Sequence, residues 1–210
     1  SYLSQGNTAE LQFGEIKIKK IHRIGPGEPV STSSLLYISP DDGNKNDRTV
    51  AELSLPEPVE PGKTIRLRIA YILTIPQIFD RTGVVEDYYF IANWYPKLGV
   101  LRADGQWHCH QYHADTDYYS DFGSYRVTLT IPQKFVVGSS GNLVKSERNA
   151  NKTITYQFEE DNIHDFAWTA SPHFTKVTKS IHLPGNPRPT QINLLLSPGH
   201  DSAEERYLNA

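Results

Sequence analysis

The segment Thr64–Leu73, TIRLRIAYIL, alternates apolar and polar side chains with a period of two. Ile65, Leu67, Ile69 and Tyr71 fall on one side, and Thr64, Arg66, Arg68 and Ala70 on the other. An extended strand sorts those residues onto two faces, whereas a helix would spread them around its circumference. Glu15–Ile21 (EIKIKKI) comes close to the same pattern through Ile16, Ile18 and Ile21. Tyr125–Pro132 (YRVTLTIP) repeats it, as does Thr153–Glu160 (TITYQFEE) through Ile154, Tyr156 and Phe158. Phe135–Ser146 (FVVGSSGNLVKS) reads as strand, hairpin turn, strand, and Ile192–Pro198 (INLLLSP) as a fully buried strand. About a dozen such runs succeed one another at the spacing of β-sandwiches. No long amphipathic helix competes with them.

Gly and Pro, 14 of each, gather at Gly25–Pro29, Ser39–Asp47, Leu55–Lys63 and Leu183–Thr190, where the chain must turn. The expected fold is therefore all-β, a large and mostly antiparallel sandwich over residues 1–198. Residues 199–210 read as the start of a helix, with Asp201 or Ser202 as N-cap and Glu204 and Glu205 in its first turn. The abrupt start SYLSQGNTAE and the lack of any Met suggest a piece of a longer or processed chain.

Charge and composition exclude several function classes. The formal net charge is −3 and no basic stripe is present, which argues against nucleic-acid binding. No run approaches the roughly 20 apolar residues of a membrane-spanning helix. The start of the chain has no signal-peptide pattern. A single cysteine, Cys109, excludes an internal disulfide.

Familiar catalytic signatures are absent. None of the eight histidines is followed by Glu, so the zincin motif H-E-x-x-H is missing. Gly138–Gly141 (GSSG) is one residue too short for the nucleophile elbow G-x-S-x-G. The acidic run Glu159–Asp161 reads as a solvated strand end. Asn151-Lys152-Thr153 is a glycosylation sequon, relevant only in a eukaryotic secretory pathway. The densest cluster of potential ligands is Trp107–Asp117, WHCHQYHADTD. On a strand, His108 and His110 would share a face with Cys109 opposite, and His113, Asp115 or Asp117 would complete a tetrahedron. Against that stands an ordinary surface strand whose imidazoles make hydrogen bonds, which is the reading adopted, so no metal site is assigned.

Four segments occur in a telling order: LPEPVEPGKTIRLRIAY (Leu55–Tyr71), NWYPK (Asn93–Lys97), DFGSYRVTLTIPQKFVVGSSGNL (Asp121–Leu143) and HDFAW (His164–Trp168). Together with the tail they cover most of Val50–Ala210. Their order and spacing resemble the N-terminal β-domain of zinc aminopeptidases of the aminopeptidase N family, gluzincin metallopeptidases, and especially bacterial members with a W-Y-P-K segment. The resemblance implies a saddle-like β-sandwich, with the helix at residues 199–210 leading to a missing thermolysin-like catalytic domain. It implies that the longer protein is a zinc-dependent aminopeptidase, with zinc, H-E-x-x-H and the substrate-recognition glycines in that following domain. This chain alone would carry no cofactor and no activity. Its partners would be its own catalytic domain in cis and the N-terminus of a peptide substrate, and its setting extracytoplasmic or membrane-associated.

In that family a Gln or Glu of the β-domain helps to hold the substrate's α-amine, because an ammonium offers only donors. The residue precedes an aromatic–Pro pair, matched here by Tyr95-Pro96, so Asn93 and Glu86 are the substrate-binding candidates. Asn93 is one methylene shorter than Gln. Trp94, Tyr95 and Pro96 equally suit packing, with Lys97 reaching to water. Asp165 suits a structural hydrogen-bond acceptor, and Phe166 and Trp168 suit core anchors. The alternative to this whole reading is a stand-alone β-sandwich module binding glycans or proteins, since Tyr and Trp stack well on sugars.

Overall fold

A computed structural model of the chain describes residues 14–77, 81–113, 118–185, 187–200 and 204–208. The fold is all-β, with antiparallel ladders between the named strands and one short helix near the C-terminus. The described residues form two compact units. One holds Gly14–Thr74 and Tyr95–Asp121, and the other Ile75–Trp94 and Phe122–Ala210.

In the first unit β1 (Glu15–Ile24) pairs with β4 (Arg66–Thr74). The imperfect alternation of EIKIKKI has a physical resolution. The register shifts between Ile18 and Lys20, which makes Lys19 the extra residue of a bulge. A bulge resets the pleat by one position. Ile16, Ile18 and Ile21 therefore stand opposite Leu73, Tyr71 and Ile69, three apolar cross-strand pairs. In β4 the arginines are exposed and the alternate apolar residues half-buried, as its period requires. Strands β2 (Leu35–Ile38) and β3 (Val50–Leu53) form a second pair across the loop 39–49. The short pair β7 (Val100–Leu101) and β8 (Trp107–His108) forms a third. Ile21, Val30, Val50 and Val100 are the buried apolar residues of this unit.

The second unit contains a four-stranded sheet in the order β10-β13-β6-β5 and a three-stranded sheet in the order β11-β12-β9. The strands are β5 (Gly83–Val85), β6 (Tyr88–Ile91), β9 (Gly123–Pro132), β10 (Val136–Ser139), β11 (Asn142–Arg148), β12 (Thr153–Ile163) and β13 (Trp168–Ser171). A pair, β14 (Thr175–Ile181) with β15 (Thr190–Leu196), and α1 (Glu204–Leu208) follow. Residues expected to cap the helix, Asp201 and Ser202, lie outside the described residues. No described helix is long and apolar enough to cross a membrane.

Two expectations are corrected. FVVGSSGNLVKS is not a hairpin: β10 pairs with β13 and β11 with β12, so GSSG turns the chain from one sheet into another. The corner is held by Ser140, whose N–H donates to Ala167 O at 3.0 Å and whose Oγ accepts from Ala167 N at 3.0 Å. Gly141 lacks a Cβ because one there would meet the Phe166 ring at 2.9 Å. INLLL is half-buried rather than fully buried. It has a single partner strand, and burial is complete only at Leu196.

Phe166 centres this unit. It is fully buried, and its ring lies 6.2 Å from that of Tyr125 on β9 and 6.3 Å from that of Phe158 on β12. Trp94 Nε1 donates to Phe166 O at 2.8 Å, and the Trp94 indole meets Trp168 edge to face at 6.5 Å. Phe166→Ala is expected to cost roughly 3–5 kcal/mol in chemical denaturation, since it removes a ring from a closed cavity. Phe166→Leu should cost markedly less, and an Ala variant as stable as the parent would contradict this role.

Candidate functional site

The two substrate-binding candidates both have left-handed backbones, for different reasons. Glu86 (φ 52°) opens the two-residue Glu86-Asp87 turn of the β5–β6 hairpin, with Val85 opposite Tyr88. Tight hairpin turns demand positive φ, so the turn accounts for Glu86, and its side chain is exposed. Asn93 (φ 50°) lies in no hairpin. Its neighbours fix it. Ala92 exchanges two hydrogen bonds with Thr82, its N–H donating to Thr82 Oγ1 at 3.1 Å and its carbonyl accepting from the same hydroxyl. Trp94 is anchored through its indole to Phe166 O. Asn is among the residues that tolerate this backbone best. Strand β6 stands between the two candidates and alone spans about 10 Å. A single ammonium group can therefore reach only one of them. Asn93 is half-buried, whereas Glu86 is exposed.

Asp165 behaves as a structural acceptor, taking the Phe166 N–H at 2.7 Å on Oδ1. Lys97 extends over the Tyr95 ring at 6.0 Å.

The histidine cluster is not arranged as expected. Strand β8 ends at His108, so the shared strand face of His108 and His110 does not exist. His110 and His113 instead turn to Asp41, about seventy residues earlier in the chain. His110 Nδ1 lies 3.0 Å from Asp41 Oδ1, and His113 Nε2 lies 3.1 Å from Asp41 Oδ2. The Gln111 N–H donates to Asp41 Oδ2 at 2.7 Å. Gln111, only 2% exposed, returns the contact: its Oε1 accepts from Asp41 N at 3.1 Å and from Asp42 N at 3.4 Å. Tyr112 N–H donates to Thr49 Oγ1 at 3.1 Å, and that hydroxyl donates to Asp47 Oδ1 at 2.6 Å. The loop 39–49 and the segment 108–113 are thus clasped together, with the Asp41 carboxylate at the centre.

The electrostatics follow from these bonds. The Gln111 N–H, with help from His110 and His113, holds the Asp41 carboxyl below its ordinary value against some burial. Burial works to raise the Asp47 carboxyl, but the Thr49 hydroxyl and N–H and the Gln111 amide bring it down overall. That amide acts on Asp47 without a hydrogen bond of standard geometry, for Gln111 Nε2 is buried and unpaired. Burial raises the Cys109 thiol, which keeps it from ionising readily. Gly99 makes room for it, since a Cβ there would fall on Cys109 Sγ.

Among the described residues no group of three or more His, Cys, Asp or Glu side chains is placed to hold a metal ion. Asp115 and Asp117 lie outside the described residues. Sequence reasoning missed Asp41 and Gln111. Asp41 sits in a loop with no periodicity, and nothing local points to a partner so far along the chain. No known family model matches this chain, and no curated protein matches it.

The clasp has a definite pH dependence. A carboxyl whose folded pKa lies below its unfolded value of about 3.9 stabilises the fold fully above that value. The contribution is lost as pH falls through the lower, folded pKa. Asp41→Asn removes the charge but keeps the shape. At neutral pH it is expected to speed amide exchange at Gln111 and Tyr112 by about tenfold. In strong acid, where Asp41 is protonated, the two proteins should converge. Equal exchange rates at neutral pH would show that the carboxylate does not hold the segment.

Proposed function

We propose that this chain is the N-terminal β-domain of a zinc aminopeptidase of the aminopeptidase N family, catalytically inert by itself. In this reading it packs on the catalytic domain and shapes one side of the substrate cavity. The observation that carries it is the ordered series NWYPK, DFGSYRVTLTIPQKFVVGSSGNL and HDFAW. Support comes from the way those segments meet at Phe166: Tyr125 and Gly141 lie against its buried ring, and Trp94 donates to its carbonyl.

Zinc belongs to the following domain, because a catalytic zinc needs three protein ligands and an open position for water. Asn93 presents the amide oxygen that accepts from the substrate's α-ammonium, the role for which Gln or Glu is longer. Apolar side chains around the β7–β8 hairpin suit a domain that docks on another. Leu98, Leu101 and Trp107 are each more than half exposed, and Leu101 and Trp107 are a directly opposed pair. Contiguous exposed apolar surface marks interaction faces.

The chain incubated with zinc and an alanyl chromogenic substrate is expected to release no chromophore. After dialysis, elemental analysis is expected to find no stoichiometric zinc. Measurable turnover, or one tightly held zinc per chain, would overturn the assignment of an inert, metal-free domain.

A further inference from the structure

The loop 39–49 borders an open concavity of about 400 Å³, lined by Tyr37, Ser39, Gly43, Lys45 and Asp47. That size lies within the range of about 300–1,000 Å³ typical of small-molecule sites. Its wall is held by an unusual density of local bonds. Asn44 N–H donates to Asp42 Oδ1 at 2.8 Å, and Asn46 N–H to Asn44 Oδ1 at 3.1 Å. Thr49 N–H donates to Asp47 Oδ1 at 2.8 Å, while Ser39 Oγ donates to Asn44 O at 2.8 Å. From behind, buried Gln111 caps the N–H groups of Asp41 and Asp42. A loop fixed in this way loses little further entropy when a ligand settles on it.

The concavity combines one aromatic with several polar groups. Tyr37 is 38% exposed, and Arg48 stacks on its ring at 4.2 Å, which steadies it. Among the described residues Lys45 Nζ makes no hydrogen bond, while Ser39 supplies a hydroxyl and Asp47 a carboxylate acceptor. Lys45 and Asp47 offset each other, so the lining favours neither a free anion nor a free cation. A neutral ligand with many hydroxyl groups uses all of these features. Its C–H faces pack on an aromatic ring, and its hydroxyls, each both donor and acceptor, satisfy ammonium, hydroxyl and carboxylate in turn.

We infer that this concavity is a saccharide-binding site, with the Tyr37 ring as platform and Ser39, Lys45 and Asp47 as hydrogen-bonding partners. It stands apart from the aminopeptidase reading: a substrate-shaping domain with or without a sugar site remains that domain.

Saturation-transfer NMR on the full chain tests it, with N-acetylglucosamine, methyl glucoside, galactose and maltose as probes. At least one probe is expected to receive saturation from the protein. Tyr37→Ala should weaken that binding by about tenfold, the worth of one aromatic contact. Lys45→Ala, a substitution of an exposed side chain with no partner, should weaken it severalfold without touching the fold. Trp107→Ala removes an exposed aromatic that does not line the concavity and should leave binding intact. The inference is overturned if no probe receives saturation. It is equally overturned if Tyr37→Ala and Lys45→Ala both bind as the parent does, or if Trp107→Ala alone abolishes binding.

Discussion

The second unit is organised by a single buried ring. Phe166 has no exposed surface, and it is met by residues from four other stretches of chain. Tyr125 and Phe158 supply rings from adjacent strands of one sheet. Gly141 supplies empty space, Trp94 a hydrogen bond to the Phe166 carbonyl, and Trp168 the edge-to-face contact that completes the indole pair. The corner at Ser140 ties the next carbonyl and N–H, those of Ala167, into the same arrangement. Aromatic pairs of this kind contribute about 0.5–1.5 kcal/mol each beyond their burial. The segment just after this ring, β13, is the strand that joins β10 to β6. Displacing Phe166 would therefore loosen both the corner between sheets and the pinned bend at Asn93.

What could be read from the chain, and what could not, divides along physical lines. Period-two alternation is local, and β4 and β9 lie where it places them. The imperfect run in β1 was legible as a strand but not as a bulge, because a bulge is defined by the partner strand. Once β4 is paired with it, the spacing of Ile18 and Ile21 becomes the signature of the extra residue Lys19. GSSG carries the composition of a hairpin turn. Composition does not distinguish a turn that reverses a strand from a corner that changes sheets. Phe166, more than twenty residues later, makes that choice by occupying the space beside Gly141.

The candidate sites show the same division more sharply. Three histidines in one short stretch raise the question of a metal, and the sequence favours hydrogen-bonding imidazoles without naming their partner. Their geometry depends on Asp41, which no spacing rule links to them. One carboxylate meets a backbone N–H and two imidazoles, and this makes His110–His113 part of a clasp. Asn93 was legible as a position through its neighbours Tyr95 and Pro96. Its left-handed backbone was not, because the bonds flanking it, Ala92 to Thr82 and Trp94 to Phe166, involve residues distant in the chain.

If the domain reading is right, the chemistry is supplied by polypeptide that follows residue 210 in the gene. The most direct measurement is the nucleotide sequence of that reading frame. The account requires the frame to continue into a helix bearing H-E-x-x-H, with a further Glu beyond it as the third zinc ligand. A frame that closes shortly after residue 210, or runs on without that motif, contradicts it.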